Sequence, residues 1–175
     1  MELDYALSLI TSRPINRRLK REFESLLSIY DITNVEYTNN GEISLTIKKK
    51  EDYKTAFCFI IPNTYPFTPP TIKINNKSYY DFLNLKTRRF NAVVKYLKGY
   101  NCLCCQSMLC RDHWSPAYTL KKLLDEFDEY KLLKISIIKK LLTDKIKEKY
   151  LIQDIDLDSW LFIVENPYMF IPKPE

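Results

Sequence analysis

The sequence predicts an α+β domain with an N-terminal helix, a four-stranded antiparallel meander and then C-terminal helices. Three observations indicate this order. Residues 14–30 carry apolar side chains at helical spacing. Residues 34–74 hold four short segments rich in β-branched and aromatic residues, separated by turn residues. From residue 119 onward the apolar positions return to helical spacing.

The first helix is predicted over residues 14–30, with Pro14 suited to its first turn. Leu19, Phe23 and Leu26 fall on one face, which predicts a buried stripe. Four basic residues lie mainly around the rest of the helix: Arg17, Arg18, Lys20 and Arg21. Such a cluster is either a solvated face or a docking surface for an acidic partner.

The meander is predicted from alternation and turn chemistry. A short strand over residues 34–37 leads to Asn39-Asn40-Gly41, whose residue types tolerate the positive φ of a hairpin turn. Residues 42–48 alternate apolar and polar side chains, which is typical of a half-buried strand. Residues 54–61 and 71–74 are predicted as the third and fourth strands.

A proline-rich segment separates the third and fourth strands. Residues 62–70 contain four prolines, which lack a backbone N–H and restrict the residue before them. The segment is therefore predicted to be an extended turn rather than a strand.

The later part of the chain is predicted to be helical. A short helix over residues 87–98 should end before Gly99, because glycine accepts the conformation that follows a helix. Residues 119–130 form another helix, and the pattern continues over residues 132–150.

The predicted domain organisation is a core over residues 1–130 and a helical extension over residues 131–175 that packs on it. Residues 160–164 read Trp-Leu-Phe-Ile-Val, which is too apolar for a solvated tail. The end of the chain is thus expected to pack back on the core or to dock a partner.

Composition excludes several classes of function. Two glycines are too few for a Gly-rich phosphate loop, and no apolar run is long enough to span a membrane. A net charge of +5 is only weak evidence for nucleic-acid binding, so nucleic acid is not an expected partner. Because no apolar run is long enough, a membrane is not an expected partner either. Five cysteines without an export signal favour a reducing compartment, cytoplasmic or nuclear, over a disulfide framework.

The segment over residues 101–120 holds four of those five cysteines and the only histidine. It supports two chemistries. One is a thiol nucleophile, which needs an accessible sulfur with thiolate character. The other is a zinc site, because Cys102-x-x-Cys105 followed by Cys110-x-x-His113 provides two ligand pairs. If zinc is bound there, Cys104 is the remaining candidate nucleophile.

Two motifs flank a cysteine segment along the chain. Tyr65-Pro66-Phe67-Thr68-Pro69-Pro70 leaves the third strand, and Trp114-Ser115-Pro116-Ala117 opens a helix. Between them lies Cys105-Gln106-Ser107-Met108-Leu109. This order of motifs resembles the ubiquitin-conjugating enzyme family, whose active-cysteine segment is similar to residues 105–109. The resemblance covers about residues 14–130.

The resemblance implies conjugation of ubiquitin or a ubiquitin-like protein. Cys105 would accept the modifier as a thioester from an activating enzyme and pass it to lysine with a ligase, and no cofactor is implied. Cys102 is the alternative nucleophile, since Gly99-Tyr100-Asn101-Cys102-Leu103 is also similar to the family's cysteine segment.

The resemblance also implies partner surfaces. The basic residues of the first helix would face the activating enzyme. Two loops would face a ligase, with Ile61 and Tyr65 on the first and Pro116 and Ala117 on the second.

One family motif is missing from the chain. The family carries His-Pro-Asn before its cysteine, and this sequence has no such string. Asn84 is the candidate replacement, with Asn101 second, because a positioned amide can stabilise the oxyanion of the transfer step. The absence favours an alternative function, a catalytically inactive scaffold or binding module on the same fold, with or without a Cys₃His zinc knot.

Overall fold

The computed structural model describes residues 16–84 and 88–150. The chain divides into two compact units, residues 1–85 with 102–130 and residues 86–101 with 131–175. The first unit has the predicted α+β architecture, with an antiparallel sheet and helices on either side of it in sequence. No described helix is both long and apolar enough to cross a membrane.

Within the residues that the structure describes, the predicted elements occur in the predicted order, and a short strand and a short helix that were not predicted follow the fourth strand. The strands are β1 Tyr30–Tyr37, β2 Ile43–Lys49, β3 Asp52–Ile61, β4 Thr71–Ile74 and β5 Lys77–Ser78. The helices are α1 Asn16–Leu26, α2 Tyr79–Leu83, α3 Arg88–Lys98 and α4 Leu120–Tyr150.

The sheet has five strands in the order β1-β2-β3-β4-β5, all antiparallel, so the prediction of four strands is wrong by one. The added strand has two residues and pairs Lys77 with Ile74. Asn75 and Asn76 make the connecting turn with φ of 48° and 66°, a left-handed conformation that asparagine tolerates. A two-residue strand is too short to produce a period-2 pattern in the sequence.

The core lies on one face of β2 and β3. Ile43, Leu45 and Ile47 are buried, and each pairs across the ladder with a buried residue of β3. Those partners are, in order, Ile61, Phe59 and Phe57. This confirms the predicted alternation, because directly opposed residues of antiparallel strands point to the same face.

The first helix is shorter than predicted. It ends at Leu26, and β1 begins at Tyr30 rather than at residue 34. Tyr30 pairs with Lys49 across the sheet and sets its ring edge-on to Phe57, with centroids 6.3 Å apart. The spacing of Tyr30 fits a helical pattern as well as a strand pattern, and its contacts with Lys49 and Phe57 favour the strand.

The start of α4 packs against the sheet. The Phe127 ring contacts Phe57 at 4.9 Å and Phe82 at 4.7 Å between centroids. Lys49 Nζ also lies 3.0 Å from Asp128 Oδ2. Residues 120–150 form one continuous helix, as the uninterrupted pattern predicts.

The second unit contains α3 and the later part of α4. Val94 and Ile137 are fully buried. Helix α3 ends at Lys98, and Gly99 follows with a φ of 78°, which confirms the predicted end. The packing of residues 131–175 on the core stays a prediction, and residues 160–164 lie outside the described residues.

Candidate functional site

Two turns of the first unit are joined into one surface. Trp114 Nε1 donates a hydrogen bond to the Pro66 carbonyl oxygen at 2.8 Å. The Trp114 ring also lies 6.2 Å from the Tyr65 ring and 5.8 Å from the Tyr118 ring. Residues 65–70 and 114–117 therefore form one continuous surface, here called the paired turns. On the paired turns the Phe67 side chain is 79% exposed.

A buried carboxylate lies beneath the paired turns. Glu22 is 6% exposed and accepts a hydrogen bond from the Tyr65 hydroxyl, whose Oη lies 3.0 Å from Oε1 and 2.8 Å from Oε2. Its Oε2 also accepts from the backbone N–H of Leu120 at 2.8 Å. The carboxylate thus accepts from the first backbone N–H of α4, which has no partner within the helix, and its negative charge is favourable at a helix N-terminus.

Arg18 completes this network. Its Nε donates to Glu22 Oε1 at 2.7 Å, and its Nη2 donates to the Tyr118 carbonyl at 2.6 Å. The guanidinium lies 5.6 Å from the centre of the Tyr65 ring. Burial, followed by the nearby Glu22 charge, raises the pKa of Tyr65, so its hydroxyl remains a donor.

The predicted partner residues are only partly accessible. Arg18 is engaged inside the domain, and Lys20 lies 3.9 Å from Glu24, whereas Arg17 and Arg21 are exposed. Ile61 is 2% exposed and Tyr65 1% exposed. The prediction that these two contact a ligase is therefore corrected, because both side chains belong to the core. Pro116 and Ala117 are exposed.

A second buried carboxylate fixes the cysteine segment. Glu126 is 4% exposed and accepts hydrogen bonds from Ser107 Oγ at 2.6 Å and Tyr79 Oη at 2.9 Å through Oε1. Its Oε2 accepts from the Met108 backbone N–H at 2.6 Å. Burial, followed by the Glu126 charge, raises the pKa of Tyr79 and keeps its hydroxyl protonated. The segment is therefore tied to α4 at two adjacent residues.

Sequence reasoning missed both glutamates. Each interrupts an apolar helix face, Glu22 beside Phe23 and Glu126 beside Phe127. A charged residue on a buried face requires partners, and that signal was available in the helical pattern.

Three cysteines of the segment come together. The sulfur atoms of Cys102, Cys104 and Cys105 all lie within 4.8 Å of one another. Cys104 Sγ is 3.3 Å from Cys102 Sγ and 4.0 Å from Cys105 Sγ. The Cys105 backbone N–H donates to Cys102 Sγ at 3.3 Å. Cys105 is exposed and the other two are half-buried.

The three thiols shift one another's acidity. Burial opposes ionisation of Cys102, but hydrogen bonds from Cys105 and Cys104 outweigh it and lower its pKa. Hydrogen bonds with Cys102 and Cys104, together with their negative charge, raise the pKa of Cys105 to about 12. Cys102 Sγ is thus the hydrogen-bond acceptor of the cluster, and its pKa is shifted in the opposite direction to that of Cys105.

The remaining predicted site residues lie elsewhere. Cys110 and His113 are not members of the three-sulfur group, so the predicted Cys₃His set is not assembled. Asn84 caps the end of α2, where its backbone N–H donates to the Tyr80 carbonyl at 2.7 Å. Its side chain is exposed, as is that of Asn101.

The helix, antiparallel meander, proline turn and Trp-Ser-Pro turn define a protein of ubiquitin-conjugating-enzyme-like fold. Residues 17–149 match the profile of the RWD domain, so the chain belongs to the RWD domain family. RWD domains share this fold and are generally not catalytic. The match does not confirm membership of the conjugating enzyme family itself. No curated protein and no solved structure matches the chain.

Proposed function

We propose that this domain is a non-catalytic module that binds a protein of the ubiquitin pathway through the paired turns. The observation that carries the proposal is Phe67, an aromatic side chain 79% exposed on a turn that is anchored on both sides. Exposed aromatic residues on a fixed backbone make effective contact points, because little conformational freedom is lost when they are buried by a partner.

The anchoring of Phe67 comes from its neighbours. Its backbone N–H donates to the Thr64 carbonyl at 2.9 Å, and Thr64 Oγ1 donates to Thr68 Oγ1 at 2.8 Å. Trp114 holds the preceding carbonyl of Pro66. The exposed Pro116 and Ala117 extend the same surface with small apolar groups.

The absence of catalysis is supported by the residues themselves. The sequence has no His-Pro-Asn, and the candidate replacement Asn84 presents an exposed side chain at a helix end. Cys105, the candidate nucleophile, lies in a cluster with two further thiols instead of standing alone. The family is generally non-catalytic, and its members bind conjugating enzymes or other ubiquitin-pathway proteins. A conjugating enzyme is accordingly the proposed partner.

Phe67→Ala is expected to weaken binding to a conjugating enzyme by about fivefold or more, since removing a central aromatic contact typically costs more than about 1 kcal/mol. Titration calorimetry against a panel of conjugating enzymes measures the affinity. Tyr96→Ala is the matched control, because Tyr96 is also 79% exposed but lies on α3. Unchanged affinity for Phe67→Ala would refute docking through the paired turns, and binding of free ubiquitin alone would refute the proposed partner.

The full chain is expected to form no thioester when incubated with activating enzyme, ATP and ubiquitin. Electrophoresis with and without a reducing agent tests this. A reductant-sensitive band that disappears in Cys105→Ser and survives in Cys102→Ser would establish Cys105 as a nucleophile. That result would contradict the non-catalytic proposal, whatever the outcome of the binding experiment.

A further inference from the structure

We propose that Cys102, Cys104 and Cys105 form a three-thiolate site for a soft, thiophilic d¹⁰ metal cation, Cu(I) or Zn²⁺. This ligand set differs from the Cys₃His set suggested by spacing, because it contains Cys104 and excludes Cys110 and His113. Metal binding at this site would be independent of docking through the paired turns.

The sulfur separations fit a shared cation. A metal bonded to three sulfurs at about 2.3 Å each holds those sulfurs about 3.8 to 4.0 Å apart. The Cys104 and Cys105 sulfurs are already 4.0 Å apart, and Cys102 and Cys104 are 3.3 Å apart. No pair exceeds 4.8 Å. Small side-chain rotations are therefore sufficient to equalise the three distances.

The backbone of the loop places these sulfurs in advance. The Cys105 N–H points at Cys102 Sγ, and such donors orient a thiolate ligand and stabilise its charge. Gln106 and Ser107 donate backbone hydrogen bonds to the Leu103 carbonyl at 3.0 and 3.1 Å, which closes a tight turn around the cluster.

The same turn is fixed from inside the domain. The Leu103 side chain is fully buried, and Ser107 is bound to Glu126. The cysteines thus project from a turn whose position is set by the core.

The ligand chemistry selects the cation. All three ligands are thiols, and thiolates prefer Cu(I) and Zn²⁺ over the hard cations Mg²⁺ and Ca²⁺. Binding would release the thiol protons to solvent as the three sulfurs become ligands. Since Cys105 is exposed, a cation can enter from solvent, and Zn²⁺ would retain one coordination position for water or a partner's ligand.

The test uses the reduced, metal-free full chain under anaerobic conditions. Zn²⁺ and Cu(I) are each titrated in competition with a chelator, and alkylation with mass spectrometry identifies the protected thiols. We expect about one equivalent of cation and protection of Cys102, Cys104 and Cys105, with Cys58 and Cys110 still alkylated. The cation that binds more tightly is the one the site selects, and failure of both to bind overturns the proposal.

Variants separate this ligand set from the alternative one. Cys104→Ser and Cys105→Ser are expected to weaken binding by more than about 100-fold, since loss of a direct ligand exceeds the usual effect of losing an outer-shell partner. Cys110→Ser and His113→Asn are the controls and should bind like the unmodified chain, with circular dichroism to verify folding. Full affinity in Cys104→Ser, or loss of binding in His113→Asn, would overturn the proposed set.

Discussion

Replacing Glu22 with alanine is expected to lower the free energy of unfolding by about 3 to 5 kcal/mol, the usual cost of breaking a buried ionic network by removing one partner. The carboxylate is 6% exposed, and the donors that point at it come from three parts of the chain. Alanine would leave the Leu120 N–H buried without its acceptor, and would leave the Tyr65 hydroxyl with the Tyr118 carbonyl, 3.5 Å away, in place of the carboxylate. Each unsatisfied group costs about 1 to 3 kcal/mol.

Urea unfolding followed by far-ultraviolet circular dichroism measures this effect. Glu24→Ala is the matched control on the same helix, because Glu24 is half exposed and its Oε1 lies as far as 3.9 Å from Lys20 Nζ. Its change should stay within about 0.5 kcal/mol. Equal effects of the two substitutions would show that Glu22 contributes no more than a surface charge.

Glu126→Ala is expected to cost about 2 to 4 kcal/mol and to loosen the cysteine segment. The substitution removes the acceptor of Ser107, Tyr79 and the Met108 N–H, all inside the domain. Ser107 is fully buried, so water cannot replace the lost acceptor without a local opening. The half-buried thiols of Cys102 and Cys104 should then react faster with an alkylating reagent.

Two measurements test this prediction together. Urea unfolding gives the loss of stability, and timed alkylation gives the reactivity of each thiol. Cys58, on β3, is the internal reference and should keep its rate. Glu129→Ala on the same helix is exposed and should change neither quantity. Thiol rates that are unchanged despite a large loss of stability would contradict the role of Glu126 in holding the segment.

Much of the fold was predictable because its signals are local. The alternation over residues 42–48 fixes which side chains of β2 are buried, and no tertiary information is needed to read it. The end of α3 was predictable from Gly99 for the same reason. The two-residue strand β5 and the early start of β1 at Tyr30 were not, since each depends on a cross-strand partner that the local sequence does not reveal.

The candidate site was likewise predictable from local sequence only in part. Spacing pairs Cys102 with Cys105 and Cys110 with His113, but it carries no information on how the intervening turn folds. The turn does bring Cys105 to Cys102, but it adds Cys104 to them, and Cys110 and His113 are not part of the group. The motifs at Tyr65 and Trp114 located the paired turns correctly, yet the residue exposed there is Phe67 rather than Tyr65. The sequence shows where the motifs lie, but which of their side chains is exposed depends on the backbone conformation of the turn.

The hydrogen-bond partners of Glu22 are synthesised at different times. Glu22 is made early, Tyr65 follows it, and Leu120 comes 98 residues after Glu22. Until Leu120 leaves the exit tunnel, Glu22 can have Arg18 and Tyr65 as partners but lacks the backbone donor at the start of α4. The hydrogen-bond network that α1 shares with α4 is therefore completed only after Leu120 has been synthesised.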